Sequence, residues 1–158
     1  MRTIETNLYT FDELDDRAKE NARTWFRTVS EYPWYDYALA ALNAFCDKFN
    51  VRVTDYCLSD DYRSSVSTDV MPSHFRGVKL KDIDRNAMPT GYYMDSSLMF
   101  EFYDTFKKTG NAYYAFEQAI EQFLIDVRKD IEAFYSDESV DENIEMNEYE
   151  FTDKGIRA

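Results

Sequence analysis

Between Asp137 and Asp153 the chain carries eight carboxylates, Asp137, Glu138, Asp141, Glu142, Glu145, Glu148, Glu150 and Asp153, and no Lys or Arg. Carboxylates at this density can do two kinds of work. They can ligate a hard cation, which needs donors converging from several positions, or they can present a fixed array of negative charge to a basic surface. Glu142, Glu145 and Glu148 stand three apart, a spacing that gathers side chains on one helix face. No His and no second carboxylate helix of matching pattern accompanies them, so a solvated charged face is the expected reading. Upstream, Asp82, Asp84 and Asn86 match the first ligands of a calcium loop, but Ala87 stands where a glycine is needed and Tyr93 where a bidentate glutamate belongs. Asp60, Asp61, Asp82 and Asp84 are the carboxylates on which a metal-requiring nuclease or hydrolase would have to draw.

Other chemistries have little material. His74 is the one imidazole of the chain and lies in the loop-like string MPSHFRG, so a Ser-His-Asp arrangement would have to converge there. The four glycines, Gly77, Gly91, Gly110 and Gly155, are isolated, which excludes a phosphate-cradling loop and a dinucleotide fingerprint. Cys46 and Cys57 form no CxxC pair, and with a single His they leave no thiolate and imidazole metal site. Nothing calls for a cofactor. The aromatic doublets Tyr92-Tyr93 and Tyr113-Tyr114 lack the basic groove that accompanies base stacking, so a core role is expected for the aromatics and no direct contact with nucleic acid.

The net charge is −13, and it is uneven: residues 1–80 hold 13 acids and 10 bases, whereas residues 81–158 hold 18 acids and 8 bases. A field of that sign repels nucleic acid and anionic membrane and attracts basic protein surfaces. At 158 residues, 44% hydrophobic and 17% aromatic, the chain is too apolar for an acidic disordered tail and has the size of one domain. No apolar run approaches a membrane span, and MRTIETNLYT lacks the apolar core of a signal peptide. A reduced, cytoplasmic setting is expected.

The elements that position these residues follow from periodicity. Residues 3–9 alternate as a weak strand. Thr10-Phe11-Asp12-Glu13 reads as a capping box opening a helix in which Leu14, Ala18, Ala22, Trp25 and Val29 form the buried stripe, with Arg23 and Arg27 outside. Pro33 precedes a second, central helix over 34–49. Residues 51–58 and 64–71 read as a β-hairpin, residues 72–91 as an irregular connection with a short strand at 77–80, and 97–108 as a helix capped by Asp95 or Ser96. The clearest amphipathic helix spans 112–135. Ser136 then caps a short acidic helix anchored by Val140 and Ile144, and Tyr149 and Phe151 alternate into a closing strand that pairs with the N-terminal strand or the hairpin. The expected fold is a single α+β domain over 1–158, about five helices packed on one small, mostly antiparallel sheet.

Several strings together, LYTFDELDDRAKENARTWF, GVKLKDI, MPTGYYMDSSLMFEFYDTFKKTGNAYYAFEQAI and YSDESVDENIEMNEYEFTDKG, resemble a family of small acidic proteins encoded by phages and prophages. That family is often labelled as the antitoxin of a toxin-antitoxin stability system. The resemblance implies a protein made inside a bacterium during infection and brings no site residues with it. Combined with the charge, it sets the functional expectation: a non-enzymatic inhibitor, anti-CRISPR, anti-restriction or antitoxin-like, whose acidic residues 137–153 mimic nucleic acid toward a host nucleic-acid-binding defence protein or toxin. The competing expectation is the carboxylate-dependent nuclease or hydrolase. Oligomeric state is left open.

Overall fold

The computed structural model describes all 158 residues. The fold is α+β: strands β1 (Tyr9–Thr10), β2 (Val53–Cys57), β3 (Ser65–Thr68) and β4 (Glu150–Phe151), and helices α1 (Asp16–Val29), α2 (Tyr35–Asp47), α3 (Met94–Thr109), α4 (Ala112–Phe134) and α5 (Asp137–Met146). The strands make two separate antiparallel pairs, β1 with β4 and β2 with β3, where a single sheet was expected. The closing strand therefore pairs with the N-terminal one, Tyr9 opposite Phe151 and Thr10 opposite Glu150. The chain packs as two compact units, one of Met1–Tyr32 with Glu132–Ala158 and one of Pro33–Ile131.

The larger unit is built on aromatic packing. Phe45, Phe49, Phe75, Phe102 and Phe116 are all buried, and the rings of Phe45 and Phe116 stack 5.3 Å apart. Each such ring removes enough apolar surface from water to contribute about 2–3 kcal/mol. The strand expected at 77–80 is replaced by a turn: Gly77 takes a φ of +75° and Val78 N–H donates to the Phe75 carbonyl, with no strand alongside to pair. Helix α3 starts earlier than its expected cap. Asp95 lies in its first turn, buried, and its carboxylate accepts from Thr90 N–H, Thr90 Oγ1 and Gly91 N–H at 2.9–3.0 Å. It ties the incoming loop to the helix, the arrangement that makes a buried carboxylate tolerable. Cys46 is buried and its thiol is pushed up to about 12 by that burial, while Cys57 is exposed; both are free. No helix is long and apolar enough to cross a membrane.

The smaller unit has its own core of Phe11, Leu14, Ala18, Ala22, Phe26, Val140, Ile144 and Phe151. Here one expectation fails in an instructive way. The capping box forms, Thr10 N–H and Oγ1 both donating to Glu13 at 2.9 Å, but it caps only a single 3-10 turn over Phe11–Glu13. Leu14 then goes extended, and Asp15 provides a second cap by accepting from Ala18 N–H at 2.8 Å. Phe11 and Leu14, on either side of the break, still join the same core as Ala18 and Ala22.

Candidate functional site

The acidic residues singled out in the sequence all lie in the smaller unit, on α5, on β4 and on the turns around them. Helix α5 starts where Ser136 Oγ accepts from Ser139 N–H at 3.3 Å, with Asp137 and Glu138 in the first turn where the helix dipole favours negative charge. It ends as Glu148 takes a left-handed φ of +53°, a turn usually left to glycine or asparagine. Val140 and Ile144 are fully buried against α1, and four-residue spacing fixes which face is left for water. Glu138, Glu142 and Glu145 fall at i, i+4 and i+7 opposite that buried face, and all three are exposed.

Two of the eight acids are not part of this display. Asp141 is clamped by Arg23, whose Nε and Nη2 donate to its two oxygens at 2.7 and 2.8 Å. Asp137 accepts from Arg27, whose Nε also donates to the Tyr135 carbonyl at 3.0 Å. Glu20 lies against both arginines, at 3.1 Å from Arg23 and 3.7 Å from Arg27. Arg23 and Arg27 were expected on the outside of α1. Their side chains are only 19% and 29% exposed, because α5 runs antiparallel over them and each arginine meets one aspartate. The clue in the sequence was the matched spacing, arginines four apart on one helix and aspartates four apart on the other. The Arg27 guanidinium holds the Asp137 carboxyl below the usual aspartate range, and the Arg23 guanidinium is held more firmly protonated by Asp141.

A residue outside the predicted stretch joins the display. Asp12, from the 3-10 turn, shares a hydrogen bond with Glu145 and pushes that carboxyl above the ordinary glutamate range; the Asp141 charge adds to this and Lys19 offsets part of it. The capping motif had assigned Asp12 to the helix dipole, with no hint of an acidic neighbour 133 residues later.

The remaining acids sit on a rigid frame. Glu148, Glu150 and Asp153 are exposed and, like Glu138 and Glu142, make no ion pair. Past β4 the chain folds back: Thr152 N–H donates to the Ile156 carbonyl at 2.8 Å and Ala158 N–H to the Glu150 carbonyl at 3.0 Å. Arg157 stacks its guanidinium 4.9 Å from the Tyr149 ring and 5.9 Å from Trp25. Asn21 Nδ2 donates to the Lys154 carbonyl, and Gly155, at φ +78°, lies so close to α1 that a Cβ there would stand 2.0 Å from the Ala18 carbonyl oxygen.

The alternative carboxylates are dispersed in their roles. Asp61 accepts from Ser59 and Arg63 at the hairpin tip, which holds its carboxyl well below the usual range, and Asp84 accepts from Asn86 N–H at 3.0 Å. Asp82 and Asp84 line a shallow cleft of about 340 Å³ with Lys48 and Lys79. No three His, Cys, Asp or Glu side chains gather where they could hold a metal ion. His74 Nδ1 accepts from Met71 N–H at 2.9 Å. Compared with known protein families, curated proteins and solved structures, the chain matches none of them.

Proposed function

We propose that this chain is a non-enzymatic interaction protein whose α5 surface binds the basic, nucleic-acid-binding face of another protein. The single observation that carries the reading is the clamp. Two arginines on α1 take up Asp137 and Asp141 and fix the helix, so that Glu138, Glu142 and Glu145, with Asp12 beside them, are displayed in fixed positions. Rigid placement lets carboxylates occupy sites shaped for phosphates without an ordering cost at binding. The spacing sets the scale. Glu138 to Glu145 covers about 10 Å of helix, roughly one charge per 5 Å, against one per 3.4 Å along a single DNA strand. The stripe thus replaces a few neighbouring phosphates, and the acids past the helix extend the field. The resemblance supplies the setting, the bacterial cytoplasm during phage infection, with a defence effector or toxin as the partner class.

The test compares wild-type protein with a Glu138→Gln, Glu142→Gln, Glu145→Gln variant as bait in bacterial lysate. At low salt the wild type retains nucleic-acid-binding proteins that duplex DNA competes away and that high salt releases; the neutral variant loses them. Capture of the same proteins by both baits would refute the reading.

A further inference from the structure

Residues 3–9 carry strand-type alternation, but only at Tyr9 does the chain begin to pair, so residues 1–8 form an unpaired arm. Every position of this arm is exposed, and Ile4 and Leu8 place large apolar side chains in water at 84% and 47% exposure. The hairpin of the larger unit shows the complementary lack. Strand β3 pairs with β2 alone, and no further backbone bond runs to Ser65–Thr68. Residues 64–68, Ser-Ser-Val-Ser-Thr, carry no charge, whereas open edges are normally protected by Lys, Pro or a bulge. Beside this edge runs a groove of about 380 Å³, with half-buried Val66 and Val70 on one wall and Ile120 and Leu124 of α4 on the other.

We propose that residues 1–8 of one copy add as a third strand along β3 of a second copy, so that the protein self-associates by exchanging arms. Strand geometry puts Arg2, Ile4, Thr6 and Leu8 on one face and Glu5 on the other. Ile4 to Leu8 spans about 13 Å of strand, and residues 116 to 124 span about 12 Å of helix, so the apolar row of the arm runs in step with the apolar wall of α4. Glu117 and Glu121 give that wall a negative rim, and Glu121 makes no ion pair. Arg2, one step beyond Ile4, supplies the complementary cation, which makes the arm the fitting occupant in a chain otherwise rich in acids. The added strand also satisfies the open backbone groups of β3 and of the arm together.

Sedimentation velocity of the full chain tests this, from low micromolar to sub-millimolar concentration at moderate salt. The wild type rises toward twice the chain mass. Ile4→Glu, which spoils the arm, and Leu124→Glu, which spoils the groove, are each monomeric; mixed together they associate, because one intact arm then meets one intact groove. Leu124 is half-buried, so the exposed pair gives a second readout: Arg2→Glu and Glu121→Arg each weaken association at least tenfold, and the double variant restores it. A wild type monomeric throughout, a dimer indifferent to Ile4→Glu, or a charge swap without rescue would each overturn the proposal.

Discussion

Breaking the pair of Arg23 and Asp141 measures how firmly the acidic helix is held. The two hydrogen bonds are short, 2.7 and 2.8 Å, and the side chains are 19% and 28% exposed. Exposed ion pairs contribute about 0.2–1 kcal/mol, and hydrogen bonds to charged groups away from water about 1.5–3 kcal/mol, so a pair at this depth has a coupling energy of about 1–2 kcal/mol. The single substitutions differ in cost. Asp141→Asn leaves Arg23 its second partner, Glu20 at 3.1 Å, and costs about 1.5 kcal/mol. Arg23→Met leaves the Asp141 charge half-buried near Glu145 without its guanidinium partner and costs about 2.5 kcal/mol. For a chain of this size the difference appears as roughly 2–4 °C in Tm. Urea melts of the four proteins in a double-mutant cycle, at low and moderate salt, give the coupling directly. A coupling below about 0.5 kcal/mol would show that buried Val140 and Ile144 alone seat α5 and that the arginine clamp is ornamental, and an Asp141→Asn cost equal to that of Arg23→Met would show that Glu20 does not hold Arg23 in the place of Asp141.

Three further outcomes follow from single sites. Gly155→Ala drives a Cβ into the Ala18 carbonyl and destabilises by about 2–4 kcal/mol, whereas Gly77→Ala, with a similar φ and open space, costs only about 1 kcal/mol; paired urea melts separate the clash from the strain. Glu145 holds its proton more tightly in the folded state than in the unfolded chain, so the stability associated with it is present at low pH and is lost as pH rises through the folded value. Glu145→Gln therefore raises Tm at neutral pH, and its advantage vanishes below the ordinary glutamate range; a pH-independent difference would contradict the Asp12 contact. Asp95→Ala removes the buried carboxylate that ties Thr90 N–H, Thr90 Oγ1 and Gly91 N–H to α3 and costs about 2–3 kcal/mol by urea melts, Asp95→Asn about half that.

Local signals in the sequence were sound where one motif decided one structure. The Ser136 cap and the Val140 and Ile144 anchor appear as the pattern implies, and of the two partners the pattern left open to the closing strand, the N-terminal strand takes it. Competition between signals decided the rest. The capping box at Thr10 was a real cap, but Asp15 accepts from Ala18 N–H and starts the helix one turn later, so the box closes only a 3-10 turn. Nothing in the α1 periodicity could place Arg23 and Arg27 beneath α5, since an apolar stripe identifies the core-facing side of a helix and is silent about a second helix lying across its flank. The eight carboxylates consequently looked equivalent, and only packing divides them into two that pair with arginines, Asp141 half-buried and Asp137 still exposed, and the rest that make no ion pair. The hairpin and the terminal strands likewise read as parts of one sheet because alternation marks strands without saying which neighbours they take.

The pairing of Tyr9 with Phe151 brings together residues separated by nearly the whole chain. During synthesis, Phe11, Leu14, Ala18 and Ala22 wait for partners, Val140, Ile144 and Phe151, that lie more than a hundred residues downstream. The acidic helix acquires its fixed position only when α5 and β4 have left the ribosome and closed over that surface, and contacts of such sequence separation form slowly. A nascent or truncated chain therefore carries the negative charge of the early segments without the ordered array. The fixed array of carboxylates thus exists only once both halves of this unit have met, a form of timing written into the order of its elements.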